Sequence, residues 1–275
     1  MSLIDRGEST VSKNCWRLVV LGSPMVGKSA IIKRFLYDTF DTSYTPTVED
    51  FHRKIYKIRR QTYKLDILDC SGQMPFPAAR KLSYMTGDMF LLVYDVCNRD
   101  TFEAVKVILE QLNECFTLAA TNNTKSTPVM CPPLILVGNH IDKDHKRVVL
   151  STECLTLLAG RPSCAFVEVS AKYNLNIDDL FVRLFELAKL PMEMTPARHR
   201  KVTPSYVVSS RKTGICGFFS RKISEACGVI QPDVRRPSVT SDMQTAFERE
   251  IIRKGFMQWK RNTSKKNDAS KCRVQ

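Results

Sequence analysis

The 275-residue sequence has no hydrophobic run that approaches the 18 or more residues that a membrane-spanning helix needs. Its first residues lack the charged-then-apolar pattern of a secretory signal, and position 2 is Ser2 rather than the glycine that N-myristoylation requires. The ten cysteines include no C-x-x-C pair and show no regular spacing. We therefore expect reduced, intracellular thiols rather than a secreted, disulfide-bonded framework.

The charge of the chain is distributed unevenly. The net charge is +14, and residues 191–275 hold 18 Lys and Arg against 7 Asp and Glu, so most of the basic character lies there. We predict a short N-terminal extension over 1–13, one globular domain over 14–190 and a basic C-terminal extension over 191–275. Because periodicity fades into Ser, Pro, Arg and Lys, we expect this extension to be largely disordered when alone, with one amphipathic helix near 243–259.

Residues 22–29 form the strongest local motif, Gly-Ser-Pro-Met-Val-Gly-Lys-Ser, which matches the phosphate-binding pattern G-x-x-x-x-G-K-[ST]. A buried strand is predicted before it, at 16–21, and helical spacing follows it, at 30–36. In that setting backbone N–H groups and a helix N-terminus face the phosphates, Lys28 reaches the terminal ones, and the Ser29 hydroxyl holds Mg²⁺. The predicted phosphate-binding residues are Gly22, Ser23, Pro24, Met25, Val26, Gly27, Lys28, Ser29 and Ala30.

Strand-like and helix-like segments alternate along the rest of the domain. This alternation predicts an α/β fold with a mostly parallel sheet flanked by helices, and ligands at the carboxyl ends of its strands. The predicted strands cover 16–21, 50–58, 63–69, 89–94, 134–137 and 166–169, with the second and third paired as a hairpin. The predicted helices after the first cover 101–116, 152–158 and 177–190, and a surface loop is expected over 120–133.

Two short segments after the last two strands indicate which base is bound. Asn139-His140-Ile141-Asp142 and Ser170-Ala171-Lys172 resemble the guanine-reading N-K-x-D and S-A-K elements of Ras-like GTPases. A carboxylate there accepts both the ring N–H and the exocyclic amine of guanine, whereas adenine would leave it badly paired. As an alternative, Asn139 and Asp142 are ordinary turn residues after a strand. The resemblance implies base-binding roles for Asn139, His140, Asp142, Ser170, Ala171 and Lys172.

Two further segments look like the switch segments of the Ras family. The first, an effector region, comprises Tyr44, Thr45, Pro46, Thr47, Val48, Glu49, Asp50 and Phe51; the second is Asp69-Cys70-Ser71-Gly72-Gln73. The resemblance implies that Thr47 contacts Mg²⁺, that Asp69 binds it through water, that Gly72 donates its N–H to the γ-phosphate, and that Gln73 is catalytic by orienting the attacking water. It also places Phe40 against the guanine.

The segments at 49–54, 73–82, 190–194 and 235–238 look like the Rhes/Dexras subgroup of Ras-like proteins. This resemblance implies a P-loop NTPase fold, namely a Ras-like G domain with a six-stranded sheet, and GTP or GDP with Mg²⁺ as ligands. Effector, exchange and activating proteins are the implied partners of a monomer, together with heterotrimeric G-protein subunits. The subgroup is associated with G-protein-coupled receptors, adenylyl cyclase and a SUMO-ligase-like activity.

Some positions depart from the Ras pattern. Pro24 and Met25 stand where Ras has two glycines, and Pro24 brings a ring and no N–H to the γ-phosphate, so it is expected to hinder hydrolysis. His140 replaces the lysine whose stem covers the guanine, so we expect weaker nucleotide retention. Intrinsic hydrolysis in this design is slow, on the order of 10⁻⁴ to 10⁻² per second.

The chain ends Cys272-Arg273-Val274-Gln275, which fits a C-a-a-X box with farnesylation of Cys272, although Arg273 is not aliphatic. Basic residues just upstream favour stable anchoring at an anionic membrane surface. A solvated basic tail, or one that touches RNA, is the alternative. We expect a location on the cytoplasmic face of the plasma membrane or an internal membrane, with a cytosolic pool. Arg235-Arg236-Pro237-Ser238 also resembles a site for a basophilic kinase at Ser238.

The sequence leaves open whether the chain is a membrane-anchored GTP switch or a GTP-bound scaffold whose hydrolysis is incidental. Thr47, Asp69 and Gln73 favour the switch, whereas Pro24 and His140, together with the long tail, favour the scaffold. An ATP-using kinase or a nucleic-acid binder fits poorly, because the guanine-reading pattern is present and the basic tail lacks interleaved aromatic residues.

Overall fold

A computed structural model of the chain describes residues 14–43, 45–72, 77–121, 132–196, 226–231 and 234–249, with side chains described for the same ranges except 117–121 and 226–229. Within these ranges one sheet has seven strands in the order β6-β5-β4-β1-β3-β2-β7. The strands are β1 (Cys15–Leu21), β2 (Glu49–Ile58), β3 (Gln61–Cys70), β4 (Met89–Asp95), β5 (Leu134–Asn139), β6 (Cys164–Glu168) and β7 (Ala226–Gln231).

The sheet is parallel from β6 to β3, and β2 runs antiparallel to both β3 and β7. This arrangement confirms the predicted α/β fold with a mostly parallel sheet. Six α-helices accompany the sheet in the described ranges: α1 (Lys28–Tyr37), α2 (Pro77–Thr86), α3 (Arg99–Thr121), α4 (Ser151–Leu158), α5 (Ile177–Leu187) and α6, over residues 239–249. Two short 3-10 helices cover Ile141–Lys146 and Met192–Met194. None of the described helices is both long and apolar enough to span a bilayer.

Strand β1 shows why the sheet is buried on both faces. Leu18 and Val20 belong to one hydrophobic cluster, which includes side chains of α1 and α5, while Val19 and Leu21 belong to a second, which includes side chains of α3. Successive side chains of a strand point to opposite faces, so a strand covered on both sides reads as a continuous apolar run. Strand β1 ends at Leu21, and the loop at 22–29 follows it directly.

The β2–β3 hairpin turns at Arg59 and Arg60, which both adopt positive φ values, 46° and 67°. Two consecutive residues with positive φ are what a tight type I′ hairpin requires, and glycine or asparagine usually supplies them. The predicted connection over residues 59–62 is therefore shorter in the structure, and β2 and β3 pair along their full length.

The prediction of six strands was wrong by one, because residues 226–231 add β7 to the free edge of β2. Their partner strand lies about 170 residues earlier, and a six-residue run of weak periodicity gave no signal for the pairing. Helix α6 overlaps the amphipathic helix predicted near 243–259 but begins at residue 239. Residues 250–259 of that prediction, and most of the predicted loop at 120–133, lie outside the described residues.

Candidate nucleotide-binding site

The loop at 22–29 needs glycine at both of its fixed positions. Gly22 has φ 144°, and a Cβ there would lie 2.1 Å from the carbonyl oxygen of Val93. Gly27 has φ 91°, and a Cβ there would lie 2.2 Å from the Asn139 amide nitrogen. Any side chain at either position would collide with β4 or β5, so the loop is held against the carboxyl ends of both strands.

Helix α1 begins at Lys28, and no side chain caps its first turn, so the N-terminal N–H groups face the loop. The buried Lys28 ammonium donates to the carbonyl oxygens of Gly22 and Ser23 at 3.0 and 2.8 Å. Burial lowers the pKa of Lys28, and the nearby Asp69 opposes that shift. A helix N-terminus and an ammonium group directed into one small loop form a site for phosphate oxygens.

Three oxygen-bearing side chains meet beside this loop. The hydroxyls of Ser29 and Thr47 share a hydrogen bond of 2.9 Å. The Asp69 carboxylate is buried at the end of β3, and its Oδ1 has no hydrogen-bond partner. Burial raises the pKa of Asp69 to about 6, against the opposing effects of Ser29 and Lys28. A buried carboxylate oxygen without a partner, next to two hydroxyls, fits a cation.

The donor set fits Mg²⁺ better than a metal held by the protein alone. Among the described residues no group of three or more His, Cys, Asp or Glu side chains is placed to hold a metal ion. Mg²⁺ takes hard oxygen ligands, usually one or two from the protein, and completes its octahedron with water and substrate phosphates. Ser29, Thr47 and Asp69 are therefore the residues that would hold it.

Pro24 lies against the second predicted switch. A Cβ on Gly72 would be 2.3 Å from the Pro24 nitrogen and 2.7 Å from its Cδ, so only glycine fits at this approach. Met25, the second departure from the Ras pattern within this loop, adopts φ 63° and leaves its side chain 68% exposed. The predicted catalytic residue, Gln73, lies outside the described residues. The three atoms nearest to a Cβ on Gly72 all belong to Pro24.

The base-reading side is assembled from β5, β6 and the turns that follow them. Asn139 is fully buried; its amide donates to the Val26 carbonyl at 2.9 Å, and its Oδ1 accepts from the Ala171 N–H at 3.2 Å. The side chain thereby ties the phosphate loop to the segment at 170–172. Its hydrogen bonds in the structure are with these two segments, and its predicted role in binding the base stays a prediction.

Asp142 is oriented by Ser170. The Ser170 hydroxyl donates to Asp142 Oδ1 at 2.6 Å and accepts from the Tyr173 N–H at 3.3 Å. A carboxylate held in this way presents a fixed acceptor at the mouth of the site, as guanine recognition requires.

His140 is held between β4 and the phosphate loop. It has φ 70°, and its Nδ1 lies 3.0 Å from Asp95 Oδ2. Burial alone would raise the pKa of Asp95, but the adjacent His140 imidazole and a hydrogen bond from the Cys97 N–H outweigh it and hold that pKa below the ordinary value. The Nε2 atom of His140 lies 3.8 Å from the position that a Cβ on Gly27 would occupy. The imidazole is thus fixed by Asp95 beside the loop.

Arg34 is a functional candidate that the sequence did not reveal. Its guanidinium donates to the carbonyls of Ala171, Lys172 and Asp38 at 2.8, 2.6 and 3.0 Å, and its Cζ lies 5.6 Å from the centre of the Phe40 ring. It therefore connects α1 with the base-reading segment and with the predicted guanine-facing aromatic. The only available signal was a basic residue in the last turn of α1, which is common at helix C-termini.

The predicted effector region lies at the start of β2. Tyr44 is outside the described residues, whereas Val48 is 87% exposed and Glu49 binds Arg236 of the C-terminal extension. The predicted lipidation site, Cys272, also lies outside the described residues. Ser238, the predicted phosphosite, is exposed and accepts from the Ser241 N–H at 3.2 Å, which makes it the N-cap of α6.

Comparison with known proteins gives matches over both the domain and the tail. A model of the Ras family matches residues 17–189. The chain is 44% identical over 261 residues to GTP-binding protein Rhes of Homo sapiens, covering 93% of this chain and 96% of that protein. It is 41% identical over 259 residues to Rhes of Mus musculus, with the same coverage. GTP-binding protein Di-Ras2 of Pongo abelii is 39% identical over 176 residues, which cover 64% of this chain and 83% of that protein.

Proposed function

Because the chain belongs to the Ras family of small GTPases and is Rhes-like, we propose that it is a membrane-anchored signalling switch that binds GTP and GDP with Mg²⁺ and hydrolyses GTP slowly. The single observation that carries this proposal is the meeting of Ser29, Thr47 and Asp69 at the mouth of the phosphate loop. Thr47 comes from a segment with a highly exposed neighbour, Val48, and reaches Ser29 across the site. A ligand that engages both hydroxyls would fix this segment, and its loss would release it.

The roles of the chain's own residues follow from their positions. The loop N–H groups and Lys28 neutralise phosphate charge, while Asp142 and Asn139 select guanine and hold the walls of the site together. Mg²⁺, when bound, supplies a double positive charge shared with the phosphate oxygens. Gly72 offers its N–H to the terminal phosphate, and Gln73 orients the attacking water. Catalysis in this arrangement is positioning and charge neutralisation, so we expect a slow intrinsic rate.

A scaffold that stays in one nucleotide state is the second candidate function. The close approach of Pro24 to Gly72 favours it, because a ring without an N–H packs on the residue that precedes the predicted catalytic Gln73. In this case hydrolysis is incidental, and the GTP-bound chain serves as an adaptor, for which the SUMO-ligase-like activity associated with its subgroup is the candidate role.

We further propose that the basic tail carries a farnesyl group at Cys272 and holds the chain to the cytoplasmic face of the plasma membrane or an internal membrane, with a cytosolic pool. The likeness to the Rhes/Dexras subgroup supports a role in G-protein-coupled receptor and adenylyl cyclase signalling, with heterotrimeric G-protein subunits among the partners. Phosphorylation of Ser238 would add charge at the N-terminus of α6.

Base selection tests the nucleotide assignment. We expect Asp142→Asn to weaken GTP binding at least 100-fold, since the amide would present a donor where guanine also presents a donor. Asp144→Asn is the matched control, because Asp144 lies in the same short 3-10 helix and pairs with Arg147 at the surface. The measurement is displacement of fluorescent GDP by GTP and by ATP. Displacement by ATP as effective as by GTP in the unsubstituted protein would contradict the proposal.

A further inference from the structure

The C-terminal extension returns to the domain and covers an edge of its sheet. Strand β7 pairs antiparallel with β2 in the register Arg53–Gln231 to Ile58–Ala226, so six consecutive residues of β2 are covered. The other side of β2 is paired with β3 along its whole length. An uncovered edge here would present a row of unpaired N–H and C=O groups, which is a template for any extended segment.

Helix α6 holds the extension in place through buried charge. Its inner face carries Asp242, Ala246 and Arg249, all buried. Asp242 accepts from Arg17 of β1 at 2.6 Å, and Arg249 donates to Asp88 at 2.5 Å. Asp88 also accepts from the backbone N–H of Arg17 at 2.8 Å, so the two pairs are adjacent.

Arg236 extends this cluster to the predicted effector region. Its guanidinium binds Glu49 and also lies 3.2 Å from Asp242. The contact between the domain and the extension thus contains three acidic and three basic side chains. Arg17, Glu49 and Asp88 belong to the domain, and Arg236, Asp242 and Arg249 belong to the extension. The three negative charges in this cluster are matched by three positive charges. The contact between the extension and the domain therefore leaves no net charge buried.

We propose that the described part of the extension, residues 226–231 and 234–249, is a built-in competitor for the edge of β2. While they are seated, a partner that presents an extended segment with a neighbouring cation cannot add a strand to residues 53–58 or reach Glu49. Such a partner is recognised by main-chain hydrogen bonding and by a positive charge, the two features that β7 and Arg236 themselves supply. Release of the extension exposes the free edge of β2 and the Glu49 carboxylate at the same time.

The test uses the full chain with two independent ways of releasing the extension. Asp242→Asn removes the carboxylate that faces Arg17 and Arg236, and Glu248→Gln is its matched control, an exposed carboxylate on the same helix. The second variant, Gly228→Pro with Val229→Pro, removes a ladder donor whichever of the two N–H groups faces β2. Amide protection in β4, beyond β3 and β1 in the sheet, verifies that the domain is folded.

Two measurements test the proposal, namely amide hydrogen exchange and peptide binding. Amide hydrogen exchange over residues 53–58 should be at least tenfold faster in either release variant than in the unsubstituted chain or Glu248→Gln. A fluorescent synthetic peptide of residues 226–249 should bind the release variants at least tenfold more tightly than the unsubstituted chain. Unchanged exchange over residues 53–58 in both variants, or equal binding of the peptide to all forms, would overturn the proposal. If Asp242→Asn does not fold, the proline variant decides alone.

Discussion

Pro24 brings a rigid ring to the phosphate loop at the point where the second switch comes closest. Its nitrogen and Cδ define the space that Gly72 can occupy, and its missing N–H removes one donor from the loop. The sequence predicted that this residue would matter, because the motif fixes its place beside the terminal phosphate. Its direct packing on Gly72 was not predictable, since it depends on where β3 ends in space.

Replacing Pro24 should speed hydrolysis. We expect Pro24→Gly to raise the single-turnover rate of GTP hydrolysis roughly tenfold, which corresponds to about 1.4 kcal/mol in the barrier. The smaller residue frees space beside Gly72 and restores a loop N–H. Met25→Gly is the control, because Met25 adjoins Pro24 in the same loop, has a positive φ that glycine accepts, and exposes its side chain. Equal rates for Pro24→Gly and the unsubstituted protein would remove the idea that Pro24 hinders the reaction.

At the scale of elements, α1 links the phosphate side of the site to the base side. Its first turn faces the phosphate loop, and Arg34 in its last turn donates to the carbonyls of Ala171 and Lys172. A guanidinium reaches three acceptors in a fixed plane, whereas an ammonium group is a point charge on a flexible stem. The base-reading segment therefore depends on a residue that is not itself part of any nucleotide motif.

Substituting Arg34 should loosen nucleotide binding. We expect Arg34→Lys to accelerate dissociation of fluorescent GDP about tenfold, a loss of about 1.4 kcal/mol that is within the range for hydrogen bonds to charged groups. Lys33→Arg is the matched control, since its partner, Asp41, is exposed and the swap keeps the charge. Dissociation at the same rate in Arg34→Lys and the control would show that the segment at 170–172 does not need this link.

The elements themselves were largely predictable, and their exceptions have physical reasons. The buried strands β1, β4 and β5 are continuous apolar runs, and the phosphate motif marks where α1 begins. The pairing of β7 with β2 and the burial of Asp242 were not predictable, because both depend on partners distant in the chain. The arginine-to-aspartate contacts that seat α6 likewise leave no periodic pattern. The elements of the domain and most of the candidate site residues could thus be predicted from local sequence. The contact of the C-terminal extension with the domain could not, because it depends on tertiary packing.

At the scale of the whole molecule, a compact domain is joined to a basic extension. The match to human Rhes covers 93% of this chain, whereas the Ras family model stops at residue 189, so the extension also has similarity to that relative. The extension is tied to the domain at β7 and α6, and strongly basic residues follow α6 in the sequence. The described part of the extension contacts the domain, whereas the basic residues that we propose meet an anionic surface lie outside the described residues.

Loss of the proposed lipid site should release the chain from membranes. A farnesyl group contributes about 0.8 kcal/mol for each buried CH₂, and each basic residue near an anionic leaflet adds about 1 kcal/mol. We expect Cys272→Ser to reduce the membrane fraction of the expressed protein at least tenfold in cell fractionation. Cys15→Ser serves as the control because Cys15 is a free, exposed cysteine of the domain. Unchanged partitioning of Cys272→Ser would rule out the anchor.

In the proposed switch, the segment around Thr47 reports which nucleotide is bound. Hydrogen exchange of the amides at 45–49 tests it directly, in protein loaded with GDP or with a non-hydrolysable GTP analogue, each with Mg²⁺. We expect exchange to be at least fivefold slower with the analogue, because the terminal phosphate would stabilise the position of the Thr47 hydroxyl beside Ser29. Equal exchange in the two loaded forms would contradict a switch and favour the scaffold.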